Sequence, residues 1–476
     1  MPALLNRLSL HRLGLLVPAF ALAACASLGP GPKPLSAFVV LGEDGAAVAR
    51  VLTASARCPA LLADGRELDM AVRAAAATMP LRSTASKPED SKPSAFPVRT
   101  CEAALPAGIR QASVAGLALA LPKARLERIV VLGDTGCRMK KSGETFQPCN
   151  IAKEYPFARV AAQAAAWQPD LVIHVGDYHY RENACPEGNA GCADNPWGYG
   201  WDAWNADFFG PGAPLLAAAP WVMARGNHES CNRGGQGFWR FLDPRPLLAR
   251  RDCNASADDS VGDFSAPYVV PLGGDAQLIV TDTSNALQKG LKPGDERWAR
   301  FAFDYRQMEA LSARASYNIG VLHHPVLAFG AHLDDKGQRV LHFGDKSLIE
   351  AYGAVSPTLV PPRMSMLVSG HAHLWEQLSF SSGHPTQFIS GFSGTAEDIV
   401  PLPATLPPGT ETAPGTILSH LSSWIDGFGY MTLERRGPDQ WEAKVWDLEG
   451  KVRNTCQVRG RESHCALAQV PLALTP

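Results

Sequence analysis

Five short apolar runs, each breaking off into a polar cluster, predict a layered α/β fold. Arg128-Ile129-Val130-Val131-Leu132 meets Gly133-Asp134-Thr135-Gly136, and Leu171 to Val175 meets Gly176-Asp177-Tyr178-His179-Tyr180. Trp221 to Ala224 leads through Arg225 to Gly226-Asn227-His228-Glu229. Ile319 to Leu322 runs into His323-His324-Pro325, and Met366 to Ser369 into Gly370-His371-Ala372-His373. Brief continuous apolar runs bounded by turns read as buried strands. The second observation is the helical pattern between some of them, over Pro156 to Trp167 and Arg306 to Arg314. Strands alternating with helices imply α/β layers, and in such folds the chemistry gathers outside the carboxyl ends of the strands. All five polar clusters fall there.

The elements follow in chain order. Arg7, His11 and Arg12 precede an apolar run, Leu13 to Ala24. It is shorter than the ~20 residues a bilayer span needs and fits a secretory signal peptide over 1–25. Leu22-Ala23-Ala24-Cys25 resembles the bacterial lipobox, which implies a lipid on Cys25. The Gly- and Pro-rich residues 26–34 suit a tether. With Ala26 after the cysteine, the resemblance points to a lipoprotein of the outer membrane, facing the periplasm or the cell surface. Residues 35–125 carry short apolar stretches cut by polar and proline-rich pieces and read as a small, mostly β N-terminal domain. Residues 126–476 read as the catalytic domain, closed by a hairpin of Tyr430 to Glu434 and Trp441 to Asp447.

The chain's 476 residues allow two or three domains. With 44 Lys+Arg against 46 Asp+Glu, no basic excess points to nucleic acid. Of eleven cysteines, ten remain beyond Cys25, an even number that suits an exported, disulfide-bonded chain. Nearest-neighbour pairing gives Cys58/Cys101, Cys137/Cys149, Cys185/Cys192, Cys231/Cys253 and Cys456/Cys465. No Cys-x-x-Cys occurs to favour a zinc site. The stretch Glu182 to Asp207, rich in Trp and Tyr, either walls the site or packs beneath a stapled loop.

The clusters supply Asp134, Asp177, Tyr180, Asn227, His228, His323, His371 and His373: oxygen and imidazole donors without a thiolate, suited to iron, manganese or zinc. That is more than one metal with an open position needs, and it suits two metals sharing a carboxylate. The order resembles the calcineurin-like metallophosphoesterases. Asp134 is followed by Thr135 and Gly136 rather than by a histidine, and Tyr180 stands three residues after Asp177. Both features resemble the purple acid phosphatases, with their GDxG, GDxxY, GNH(D/E), VxxH and GHxH motifs. The resemblance implies a metallophosphoesterase-type αββα sandwich with the small N-terminal β domain ahead of it. Asp134, Tyr180 and His373 would hold one metal, ferric iron. Asn227, His323 and His371 would hold a divalent ion (Fe, Zn or Mn), with Asp177 bridging. His324 is the alternative to His323. His228 would serve as proton donor, and His332 stands where plant-type members carry a second substrate histidine. The implied activity is acid-phosphatase-like hydrolysis of a small phosphomonoester by a metal-bound hydroxide, with a nucleotide or other phosphodiesterase as the alternative. A serine hydrolase is disfavoured, since Gly391-Phe392-Ser393-Gly394-Thr395 misses the nucleophile elbow by one residue. A non-catalytic receptor of the same fold would have shed ligand types that are all present here.

Overall fold

A computed structural model describes residues 34–141, 145–334, 336–396 and 400–468, the side chain at 342 excepted. The signal peptide, Cys25 and nearly all of the tether lie outside the described residues.

The five runs are strands: β1 (Arg128–Leu132), β2 (Leu171–His174), β3 (Trp221–Met223), β4 (Tyr317–Leu322) and β5 (Met364–Ser369). The first three pair in parallel at the heart of an eleven-stranded sheet. The other two pair in parallel within a seven-stranded sheet. Alternation along each strand builds the layers. Ile129 and Val131 of β1 join Ile319, Val321, Met366 and Val368 of the opposite sheet in the central core. Val130 and Leu132 turn the other way, onto Phe157, Val160 and Ala164 of the helix Phe157–Ala166. Leu322 and Leu367 meet Phe301, Tyr305 and Met308 of the helix Arg297–Ser312. Two sheets face to face, with helices outside both, make an αββα sandwich, as the resemblance implied.

The helix expected at Arg306 to Arg314 begins nine residues earlier, because Trp298, Phe301 and Tyr305 extend its buried face. The closing hairpin is Gly429–Gly437 with Gln440–Asp447, and it borders β1. The division expected at residue 126 falls inside one continuous sheet. Strand Ser36–Leu41 pairs in parallel with β3, and Ala47–Thr53, Arg99–Ala104 and Ala71–Ala74 extend the sheet beyond it. Val39 and Val51 share the central core with Ile129. A pairing across some 180 residues leaves no local mark in the sequence. All five neighbour pairs of cysteines are disulfide-bonded.

Candidate metal centre

The turns after the five strands bring their side chains to one place. Three of them use the left-handed backbone region: Asp134 (φ 53°), Asp177 (φ 59°) and His371 (φ 70°). Non-glycine residues seldom adopt it, and it recurs where a site demands a particular direction. Neighbouring glycines admit the close packing. A Cβ on Gly226 would lie 2.1 Å from Asp177 Oδ1, and one on Gly370 would lie 2.6 Å from Asp134 Oδ2. A Cβ on Gly136 would lie 2.7 Å from the Tyr180 backbone nitrogen and 2.8 Å from Asp207 Oδ2, so no side chain fits there.

Tyr180 Oη lies 2.8 Å from Asp134 Oδ1, 2.8 Å from Asp177 Oδ2 and 3.0 Å from His373 Nε2. A phenol has one proton to offer, and it cannot satisfy two carboxylates and an imidazole together. The second convergence lies around His323 Nε2, 3.2 Å from Asp177 Oδ2 and 3.1 Å from Asn227 Oδ1. His371 Nδ1 is 3.0 Å from the same Asn227 oxygen. The Val175 carbonyl, 2.9 Å from His323 Nδ1, takes the proton of that nitrogen and turns Nε2 towards the cluster as an acceptor. Two groups of converging acceptors thus share Asp177, and buried acceptors facing one another call for cations between them. The residues fit a two-metal site.

Protons compete with cations for these positions, and the ionisation of each group reflects its neighbours. Burial opposes ionisation of Asp177, yet His323 and His228 hold it well below the usual carboxylate range. Burial likewise works against a charge on His323, but Asp177 lifts it to about 9. Burial, then His323, pushes His371 down to about 3. Burial, then Asp134 and Asp177, raises the Tyr180 phenol well above its ordinary value.

The cluster forms the floor of a cavity of about 590 Å³. His228 lines it, stacked on Tyr180 with ring centroids 3.8 Å apart. Arg138, Lys140 and Arg233 give its walls positive charge, and His332 lines it from the hairpin Phe329–Leu333 with Arg339–Phe343. His324 is also near: its donor atoms fall within 4.8 Å of those of His323 and His371, while its Nδ1 sits 3.3 Å from Thr283 Oγ1. The aromatic stretch expected as wall or packing does the packing. Trp204 is fully buried, Tyr199 lies against His179, and Trp197 stacks under Lys92.

Three functional groups escaped the sequence reading. Buried Glu182 places Oε1 3.1 Å from His228 Nδ1 and 3.1 Å from Arg233 Nε. Burial opposes its charge, but Arg233 and His228 hold its pKa at about 2. Glu229 accepts the backbone N–H groups of Asp177, Tyr178 and Gly226, tying the second cluster to the third. Asp207, in the π-helical turn Asn205–Phe209, accepts from the Cys137 and Tyr180 N–H groups and so joins the first cluster to the second. Glu229 adjoins His228 and was within reach of sequence reading; Asp207 carries no signal.

Residues 127–374, more than half of the chain, match the family model of the calcineurin-like phosphoesterases. The chain belongs to that family. This calcineurin-like phosphoesterase is a metal-dependent phosphoester hydrolase, and its family and donor set imply a dinuclear metal centre. Among solved structures, it resembles the purple acid phosphatase PPD1 from yellow lupin (Lupinus luteus) seeds at a TM-score of 0.53 and 14% identity, over 89% of this chain and 74% of that one. PhoD aligns at a TM-score of 0.48 and 11% identity, over 94% and 95%. A dimetal phosphatase from Danio rerio aligns at 0.36 and 12%, over 72% and 99%. Among curated proteins, none matches the sequence.

Proposed function

We propose that this phosphoesterase hydrolyses phosphomonoesters with a purple-acid-phosphatase-like pair of metals. The observation that carries the reading is the Tyr180 hydroxyl facing Asp134, Asp177 and His373 at once. Asp134, Tyr180 and His373 would hold ferric iron, for which an anionic phenolate is a fitting hard ligand. Asn227, His323 and His371 would hold a divalent ion, with Asp177 offered to both sites. His323 is chosen over His324 because its Nε2 faces Asp177 and Asn227, whereas His324 faces Thr283. When bound, such a pair of ions supplies Lewis acidity and a water that is nucleophilic near neutral pH.

The chain's own residues do the rest. Arg138, Lys140 and Arg233 draw the phosphate dianion to the cavity floor and balance its charge. His228 turns Nδ1 to the Glu182 carboxylate, and in its imidazolium form, which burial confines to acid pH, its Nε2–H gives the ester oxygen a proton as it leaves. His332 approaches the phosphate from the hairpin above. The five disulfides suit an oxidising compartment, in keeping with export and with a lipid on Cys25. Replacing Cys25→Ser should release the protein from membranes of a bacterial host, and undiminished anchoring would dismiss the lipid.

The deciding experiment compares p-nitrophenyl phosphate with its bis-ester, using enzyme lacking residues 1–25, before and after strong chelation. Chelator-sensitive turnover that favours the monoester is expected. Preference for the bis-ester would assign a phosphodiesterase, and full activity in metal-free protein would remove the two-metal reading.

A further inference from the structure

Two wall segments of the catalytic cavity take no part in the hydrolytic step: the loop with Gln288 and Lys289, and the hairpin base with Phe329 and Phe343. Phe329 and Phe343 are cross-strand partners, and their rings lie 5.7 Å apart at 58°. Phe329 is buried, and its N–H donates to the buried Glu376 carboxylate at 3.3 Å. Phe343 is 47% exposed. A phenyl ring held half in solvent on the wall of a binding cavity presents a flat apolar surface that a ligand can cover.

The two segments are braced to one another. From Phe343 the chain passes through Gly344 to Asp345, the N-cap of the helix Lys346–Gly353. Asp345 Oδ1 accepts the Ser347 hydroxyl at 2.5 Å, and the Ser347 oxygen accepts the Leu287 N–H at 2.9 Å. Gln288 and Lys289 therefore follow a residue fixed against the root of the strand that ends in Phe343. Gly344 fixes that root in turn. A Cβ there would lie 2.1 Å from the Val326 carbonyl oxygen, so the strand end passes hard against the chain that leads away from His323.

We propose that Phe343 is a specificity-determining residue, which stacks a planar aromatic ring carried by the leaving group of the phosphomonoester. The assignment rests on the phosphatase reading and deepens it to the leaving group. The lining selects the ring. Phe343 offers a face, which a flat ring covers more fully than a puckered one, and an aromatic pair gains beyond the area it buries. Lys289 and Gln288, on the braced loop, offer a cation and an amide. These suit the π-face and the polar edge of an aromatic ring and gain nothing from an alkyl chain. Small aryl esters and nucleotides both carry such a ring, and Phe343 would recognise it in either.

The test compares benzyl phosphate with cyclohexylmethyl phosphate, two primary-alcohol esters of like size that differ in the flatness of the ring. kcat/KM is measured for both in the native enzyme, Phe343→Leu and Phe343→Trp, since remote binding energy used in the transition state appears in that ratio. Native enzyme should favour the benzyl ester roughly 3- to 10-fold. Phe343→Leu should erase the preference and Phe343→Trp keep it, an outcome that a merely structural role would not produce. Two further pairs distinguish the sources of the ring: adenosine 5′-monophosphate against ribose 5-phosphate, and O-phosphotyrosine against O-phosphoserine. A fall of either ratio in Phe343→Leu supports the proposal, and the larger fall names the source. Equal turnover of the benzyl and cyclohexylmethyl esters by native enzyme overturns it, as does a benzyl preference that survives in Phe343→Leu. If p-nitrophenyl phosphate is itself inert, the phosphatase reading has failed; turnover of that ester without any ring preference sinks the role of Phe343 alone.

Discussion

At Tyr180, one hydroxyl serves three acceptors, and that crowding sets the sharpest expectations. A phenolate bound to ferric iron colours a protein by charge transfer. Tyr180→Phe should bleach the visible band with the circular dichroism unchanged, whereas a colourless, iron-free, active native enzyme would exclude iron. Asn227→Ala and His371→Ala should each lower metal content from two ions towards one and reduce turnover at least ~10²-fold, as read by metal analysis beside an activity assay. Glu182 Oε1 lies 3.1 Å from His228 Nδ1, the ring proposed above as proton donor. Glu182→Gln should slow alkyl phosphates, whose leaving oxygen needs a proton, by about 10²-fold. It should slow 2,4-dinitrophenyl phosphate, whose leaving group needs none, far less; equal losses on both would make Glu182 purely structural. The same carboxylate has a folded pKa of about 2 against 4.5 unfolded. Its stabilisation is therefore complete above pH 4.5 and lost as pH falls towards 2. Melting temperatures of native protein and Glu182→Gln should converge over that window.

Strand ends and the turns after them are the elements that make the centre, and glycines decide how close they approach. Gly226 follows β3 and lies against Asp177 after β2. Gly226→Ala places a methyl where Asp177 Oδ1 sits, so the shared carboxylate must shift. The expected outcome is loss of both metals and an appreciable drop in melting temperature, measured by metal analysis and calorimetry; native metal content would show that the turns yield. The order of clusters along the chain was legible because each is local: a buried run and then a donor, with a glycine between them in four of the five. The joins between clusters were not. Asp207 lies 27 residues beyond Tyr180, in a helical turn whose sequence resembles any other, and only folding shows that it holds two clusters together.

Over the whole molecule, the centre lies where two sheets meet, with Asp134, Asp177 and Asn227 from one and His323, His371 and His373 from the other. Metals bound there would join the two sheets. Strong chelation should accordingly lower the melting temperature by several degrees, as removal of a ligand specific to the folded state does. An unchanged melting curve after complete metal removal would show that the sheets hold their positions without the ions. Intact mass under non-reducing conditions should show ten paired cysteines beyond Cys25, as the five bridges require. Among the described residues, no helix is long and apolar enough to cross a membrane.

By itself the sequence determined the layered α/β class, the family it resembles and the cystine pairs. All of these are written in patterns of a few residues: strand alternation, a turn after each strand, and neighbouring cysteines that close short loops. Tertiary structure decided what no such pattern carries. It showed His323 rather than His324 facing Asp177, Glu182 behind His228, Arg138 and Arg233 on the cavity wall, and four strands between residues 36 and 104 extending the sheet that carries Asp134 and Asp177. The physical reason is distance along the chain. Each of these depends on elements far apart in sequence that meet only when two sheets pack over a common core, and the apolar residues that drive the packing do not specify which polar side chains it brings together.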